Sequence, residues 1–203
     1  MVDVSTTAGD RPATTPQEEN TMSTLEQLGG TWTIDPTHST IGFVARHAMI
    51  SKVRGSFTEF TGTASVPEAG VTAASVTVDI AAASIDTANA DRDGHVRGAD
   101  FFDVEQYPHI TFRSTKVQAT GADTFEITGD LTIKDQTHPV TVPFEFTGTA
   151  TDPFGNHRAG FEGSLAINRS DYGVTWNAAL EAGGVMVSDK ITLEFDISAI
   201  RQA

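Results

Sequence analysis

Eight stretches of this chain alternate apolar and polar residues with a period of two, which limits its fold more than any other feature. One face of each carries Ile41/Phe43/Ala45/His47, Val53/Gly55/Phe57, Val76/Val78/Ile80, Ile110/Phe112, Phe125/Ile127/Gly129/Leu131/Ile133, Val140/Val142/Phe144/Phe146, Phe161/Gly163/Leu165/Ile167 and Ile191/Leu193/Phe195/Ile197. Successive side chains of a strand point to opposite faces, so each run predicts a strand with one face to bury. Turn-forming clusters separate several of them, at Pro67–Gly70, Thr120–Asp123 and Asp152–Asn156. Only 87–107 breaks the alternation for long enough to hold a helix. Without a second layer of helices, these faces must cover one another, in a sandwich or a closed barrel. The period does not choose between them. Eight strands is the count at which a barrel either fills itself or holds one small ligand. Gly55, Gly129 and Gly163 fall on the apolar face, where they remove side-chain volume or simply allow bends.

At 203 residues the chain has room for one domain and a tail. Residues 1–30 are predicted to be a disordered acidic tail with a short helical turn near 23–28, because five acids face Arg11 alone amid Thr, Pro and Gly. The domain is then 31–203. The tail lacks the basic and apolar regions of a secretory signal, so the expected location is cytoplasmic. Met22 is an alternative start. A net charge of −14 repels phosphate backbones, which argues against nucleic acid as a partner. The absence of cysteine excludes disulfides, thiolate catalysis and zinc–cysteine sites. No apolar run is long enough to span a bilayer as a helix.

The tempting motifs are weak. Asn89–Asp100 approximates a calcium loop, but it lacks flanking helices, ends in Asp and contains Arg92. The six histidines show no metal-ligand spacing. No nucleophile or phosphate-binding signature is present. Asn168-Arg169-Ser170 matches a glycosylation sequon, which has no meaning without export. No metal site, catalytic residue or cofactor is therefore expected.

More specific are the segments Asp35-Pro-Thr-His38-Ser39, Arg46-His47, Arg92-Asp93-Gly94-His95, Asp100-Phe101-Phe102-Asp103 with Tyr107-Pro108, and Asn168-Arg169-Ser-Asp171-Tyr172-Gly173. In order and spacing, from 31 to 200, the chain resembles the YceI-like family of lipid-binding proteins. The resemblance implies an all-β fold, an eight-stranded antiparallel lipocalin-like β-barrel with one short helical segment at about 87–107. It also implies a long apolar cavity, since family members hold polyisoprenoids, isoprenoid quinones or fatty-acid derivatives. Many relatives are periplasmic or secreted, which is the alternative location.

Such a cavity needs little chemistry. Burying about 400 Å² of a prenyl or acyl chain supplies on the order of 10 kcal/mol before ordering costs. The inward candidates are Phe43, Phe57, Val78, Ile80, Phe112, Leu131, Ile133, Phe144, Phe146 and Phe161, with Phe101 and Phe102 as a lid. His38 and His47 are candidate contacts for a polar head. Asp35, Arg92 and Asp93 read better as structural ties. The expected function is non-enzymatic binding, transport or storage of a bound isoprenoid or fatty-acyl lipid, with room for a homodimer. An enzyme acting on such a lipid, or a filled stress-related barrel, are the alternatives. Large side chains set against the face glycines would favour the filled form.

Overall fold

A computed structural model describes residues 25–181 and 183–203. Its strands are β1 (Gly30–Ile34), β2 (Thr40–His47), β3 (Ser51–Phe57), β4 (Phe60–Val66), β5 (Ser75–Ala81), β6 (Ile85–Asp86), β7 (His109–Ala119), β8 (Thr124–Ile133), β9 (Gln136–Thr151), β10 (His157–Asn168) and β11 (Lys190–Arg201). All pairings are antiparallel, and β1 pairs with both β4 and β11, which closes the sheet. β1 and β2 follow one another along β11, β3 and β4 run back beside them, and β5 and β6 run beside those. Each of these pairs is one broken stave, so the barrel has eight staves joined in sequence order.

Each of the eight alternating runs lies in a different stave. The eight runs leave out β1, β4 and β6: β1 and β6 are only five and two residues long, and in β4 the inward positions after Phe60 are small, Gly62 and Ala64. The interruption at 87–107 holds one helix, α1 (Ala90–Arg97), shorter than the stretch allows. Asn89 caps it by accepting from the Arg92 backbone N–H at 2.9 Å, and Gly98 ends it with a 3.0 Å bond to the His95 carbonyl. Acids in its first turn and His95 and Arg97 in its last suit the helix dipole. Residues 98–108 are turns. The helix also takes Asn89, Asp91 and Asp93 out of any calcium-loop arrangement, and Asp93 accepts from the Thr87 backbone N–H and hydroxyl at 2.9 and 2.6 Å.

The short helical turn expected near 23–28 is a 3-10 helix at Leu25–Leu28, and Leu25 and Leu28 are buried in one cluster with Trp32, Phe125 and Phe146. The Trp32 indole N–H donates to the Leu28 carbonyl at 2.7 Å. Packed structure therefore starts before the expected boundary at 31, because two leucines in register supply an apolar face to the barrel end. The rest of the tail lies outside the described residues.

The break between β1 and β2 is held by charge. Asp35 accepts from the Thr37 backbone N–H at 3.0 Å, and Arg158 Nη1 reaches it at 2.7 Å while its Nε donates to Asp152 at 2.8 Å. Ser39 and Ser198 exchange bonds beside it. The Arg158 hydrogen bond, helped by His38 and Thr37, holds the Asp35 carboxyl down at about 2 against an ordinary 3.8. A folded-state value below the unfolded one means stability fully present above 3.8 and lost as pH falls through about 2. Asp35→Asn should therefore lower stability at neutral pH and flatten the acid limb. Denaturant midpoints collected from neutral pH downward test this, and parallel curves for the two proteins would refute it.

Candidate functional site

The inward face of the staves surrounds a cavity of about 640 Å³. Its walls come from every stave, through residues such as Ile34, Phe57, Val78, Phe112, Leu131, Phe144, Phe161 and Leu193. Leu28 and Trp32 line the far end, where Trp32 is only 2% exposed. At the other end the lining includes exposed His47 and Ser51, so the mouth lies among the β2–β3 hairpin, α1 and the 169–188 segment.

An open bore is compatible with so many phenylalanines because of the three face glycines. A Cβ at Gly55 would sit 2.5 Å from Phe43 Cζ, one at Gly129 would sit 2.5 Å from Phe112 Cζ, and one at Gly163 would sit 2.7 Å from Phe144 Cδ1. Phe43 and Phe144 are the cross-strand partners of Gly55 and Gly163. Each ring thus lies sideways over a neighbouring strand where a side chain is missing, instead of projecting across the bore. This corrects the expectation that large residues against these glycines would fill the barrel. They line its wall.

Phe43, His47, Phe57, Val78, Ile80, Phe101, Phe102, Phe112, Leu131, Ile133, Phe144 and Phe161 all line the cavity. Two expected residues do not. Phe146 is buried in the cluster with Leu25, Leu28 and Ala159, with its ring tilted against that of Phe161 at 5.6 Å, and it does not reach the cavity. His38 lies on the exposed break between β1 and β2, with Nδ1 2.7 Å from Asp35. The cue that suggested it, an Asp-x-x-His-Ser motif, reports the structural tie.

Phe101 and Phe102 sit at the mouth. Phe102 meets Phe57 edge-on at 6.1 Å, while Phe101 and the His95 ring both pack against Trp176. His95 also pairs with Asp100 at 2.9 Å. Arg92 donates to the Thr87 hydroxyl and carbonyl, both at 2.7 Å, and these side chains also reach the cavity. The sequence reading missed Arg169, Tyr172, Val174 and Trp176. They lie in a segment with neither strand nor helix periodicity, and the family-like run Asn168–Gly173 was the only signal for it.

Arg169 is buried, and its guanidinium donates to the carbonyls of Ser188, Val174 and Trp176 at 3.1, 2.7 and 2.9 Å. Burial pushes it below its ordinary value, opposed by the charge of Asp189. Burial likewise raises the Tyr172 phenol. Polar side chains therefore gather at the mouth and apolar ones along the bore. That division suits a ligand with a long apolar body and a compact polar end. Among the described residues, no group of three His, Asp or Glu is placed to hold a metal, and no helix is long and apolar enough to cross a membrane.

A YceI-like domain is matched over residues 32–199. The chain is 36% identical to a UPF0312 protein of Azotobacter vinelandii over 165 residues, covering 81% of this chain and 83% of that one. Among solved structures, it is similar to Burkholderia cenocepacia BcnA, with TM-score 0.71 and 27% identity over 81% of this chain and 98% of the other. A polyisoprenoid binding domain from Saccharophagus degradans, implicated in plant cell wall breakdown, shares the fold at TM-score 0.65 and 16% identity, over 84% of this chain and 98% of that one.

Proposed function

This chain belongs to the YceI-like family, and from that premise we propose that it binds one long apolar molecule, of the isoprenoid or fatty-acyl class, inside its barrel. The observation that carries the reading is the cavity: about 640 Å³, apolar along the bore, closed at one end by Leu28 and Trp32 and polar at the other. Pockets of roughly 300–1,000 Å³ are the size that takes a small molecule. The chain of the ligand lies along Val78, Phe112, Leu131 and Phe144, and its head sits near His47, Thr87, Arg92 and His95. The same class of ligand is named for the Saccharophagus degradans domain.

The reading is one of carriage or storage without chemistry, since hydrophobic burial alone accounts for the affinity. Native mass spectrometry of gently purified protein, followed by organic extraction, tests it. A co-purified prenyl or acyl species is the expected result. A protein that carries nothing and binds no fluorescent fatty acid would overturn the proposal, and a ligand recovered chemically altered would move it to the enzymatic alternative.

A further inference from the structure

Among the described residues, four large apolar side chains are strongly exposed, and three of them, Met49, Ile50 and Val185, lie together at the cavity mouth. The β2–β3 hairpin turns through Ala48 (φ +51°) and Met49 (φ +58°), with the Ile50 N–H donating to the His47 carbonyl at 3.0 Å. Positive φ at two successive residues is what Asn-Gly takes in tight hairpin turns without strain. Here the chain accepts backbone strain at two non-glycine residues and holds Met49 56% and Ile50 85% exposed. The Ala48 N–H donates to the Met186 carbonyl at 2.7 Å, which sets Val185 beside the tip.

Basic residues surround this tip. Arg46 pairs with Lys52 and Val44 with Arg54 across the hairpin, and Lys190 stands two residues before Thr192, the β11 partner of Val44. By strand parity all four cations share the outer face, and Arg46, at the end of β2, also borders the cavity mouth. They are exposed, and no side-chain hydrogen bond or ion pair engages them among the described residues. On these strands the outward carboxylates begin further down, at Glu194 opposite Gly42 and Asp86 opposite Ser56. Asp189 is occupied by Ser170, which leaves Glu181 as the acid of the neighbouring turn. In a chain of net charge −14 the β2–β3 tip and the start of β11 are locally basic, while α1, the turns after it and the 169–188 segment bring Asp91, Asp100 and Asp171 to the other side of the mouth.

We propose that the β2–β3 tip docks on the surface of an anionic lipid bilayer. Met49, Ile50 and Val185 enter the boundary between headgroups and acyl chains, and Arg46, Lys52, Arg54 and Lys190 meet the lipid phosphates. Charge screening over about 8 Å at physiological ionic strength lets this patch act independently of the acidic remainder. Docking in this pose brings the cavity mouth against the membrane. The surface acts in this way whatever the cavity holds, so its test does not depend on a cavity ligand.

The test is co-sedimentation of the full chain with phosphatidylcholine vesicles, with and without phosphatidylglycerol, at physiological ionic strength. Sedimentation with the anionic vesicles and little with the neutral ones is expected. The double substitution Met49→Ser, Ile50→Ser should weaken partitioning roughly tenfold or more. Arg46→Gln, Lys52→Gln and Arg54→Gln should each weaken it about fivefold. Phe154 is 89% exposed at the opposite end of the barrel, so Phe154→Ser is the control and should change nothing. All these side chains are exposed, and circular dichroism of each variant checks that it is folded. Failure to sediment with anionic vesicles, or equal loss in Phe154→Ser, overturns the proposal. So does a tip variant that only dissolves a dimer, since the tip would then face a second copy of this chain.

Discussion

Trp32→Ala should destabilise the protein by about 3–5 kcal/mol, the usual loss for a large aromatic residue removed from a core. Trp32 is 2% exposed, packs with Leu25 and Leu28 at the closed end, and lies 5.7 Å from the His157 ring. Its indole also holds the Leu28 carbonyl, so truncation removes both apolar packing and the bond that seats the 3-10 turn. Against a typical total of roughly 5–15 kcal/mol, this is a large fraction. The same change should open a second entrance to the cavity and speed the release of a bound fluorescent fatty acid. Trp32→Phe separates the two contributions, because it keeps most of the apolar contact and loses the indole N–H. Denaturant midpoints and probe release rates measure both effects. A loss below about 1 kcal/mol would mean that the end plug is not part of the core.

The barrel was legible because its signal is periodic. Side chains alternate strictly in a strand, so Val76/Val78/Ile80 or Ile191/Leu193/Phe195/Ile197 announce an inward face without knowledge of their partners. The same signal placed most of the cavity wall. It failed at Phe146, whose ring is covered by the side chains packed around it, because inward and cavity-lining are different properties. Breaks in staves were illegible: Asp35, Arg158 and Ser198 tie the break between β1 and β2, and Thr58, Glu59 and Ser84 tie the one between β3 and β4, through side-chain bonds that leave no period. The mouth was the least legible part. Arg169 and Trp176 reach the cavity from a segment held by side-chain bonds to backbone carbonyls, and such bonds leave no period in the sequence.

The glycine–phenylalanine pairs explain how one sequence pattern serves two interiors. Apolar alternation is the same in a filled barrel and a hollow one, and the difference lies in which direction each ring takes. At Gly55, Gly129 and Gly163 the missing side chain lets a ring fold along the wall. The cavity is therefore encoded in cross-strand pairs such as Phe43–Gly55 and Phe144–Gly163, which no single strand reveals.

Val140→Trp should reduce uptake of a fluorescent fatty acid at least tenfold while changing stability by less than about 1 kcal/mol. Val140 lines the cavity and pairs across β8–β9 with Gly129, a position already covered by the Phe112 ring. An indole at 140 cannot fold onto that neighbour, so it must project into the bore. In an open tunnel it occupies space meant for ligand, and the wall behind it need not move. In a packed interior the same group would force its surroundings apart at a cost of about 1–3 kcal/mol. Probe titration and a denaturant melt on the same sample distinguish the two. Unchanged uptake would show that the ligand chain does not pass this level of the barrel. A stability loss of several kilocalories with no uptake to lose would show an interior that its own side chains already fill.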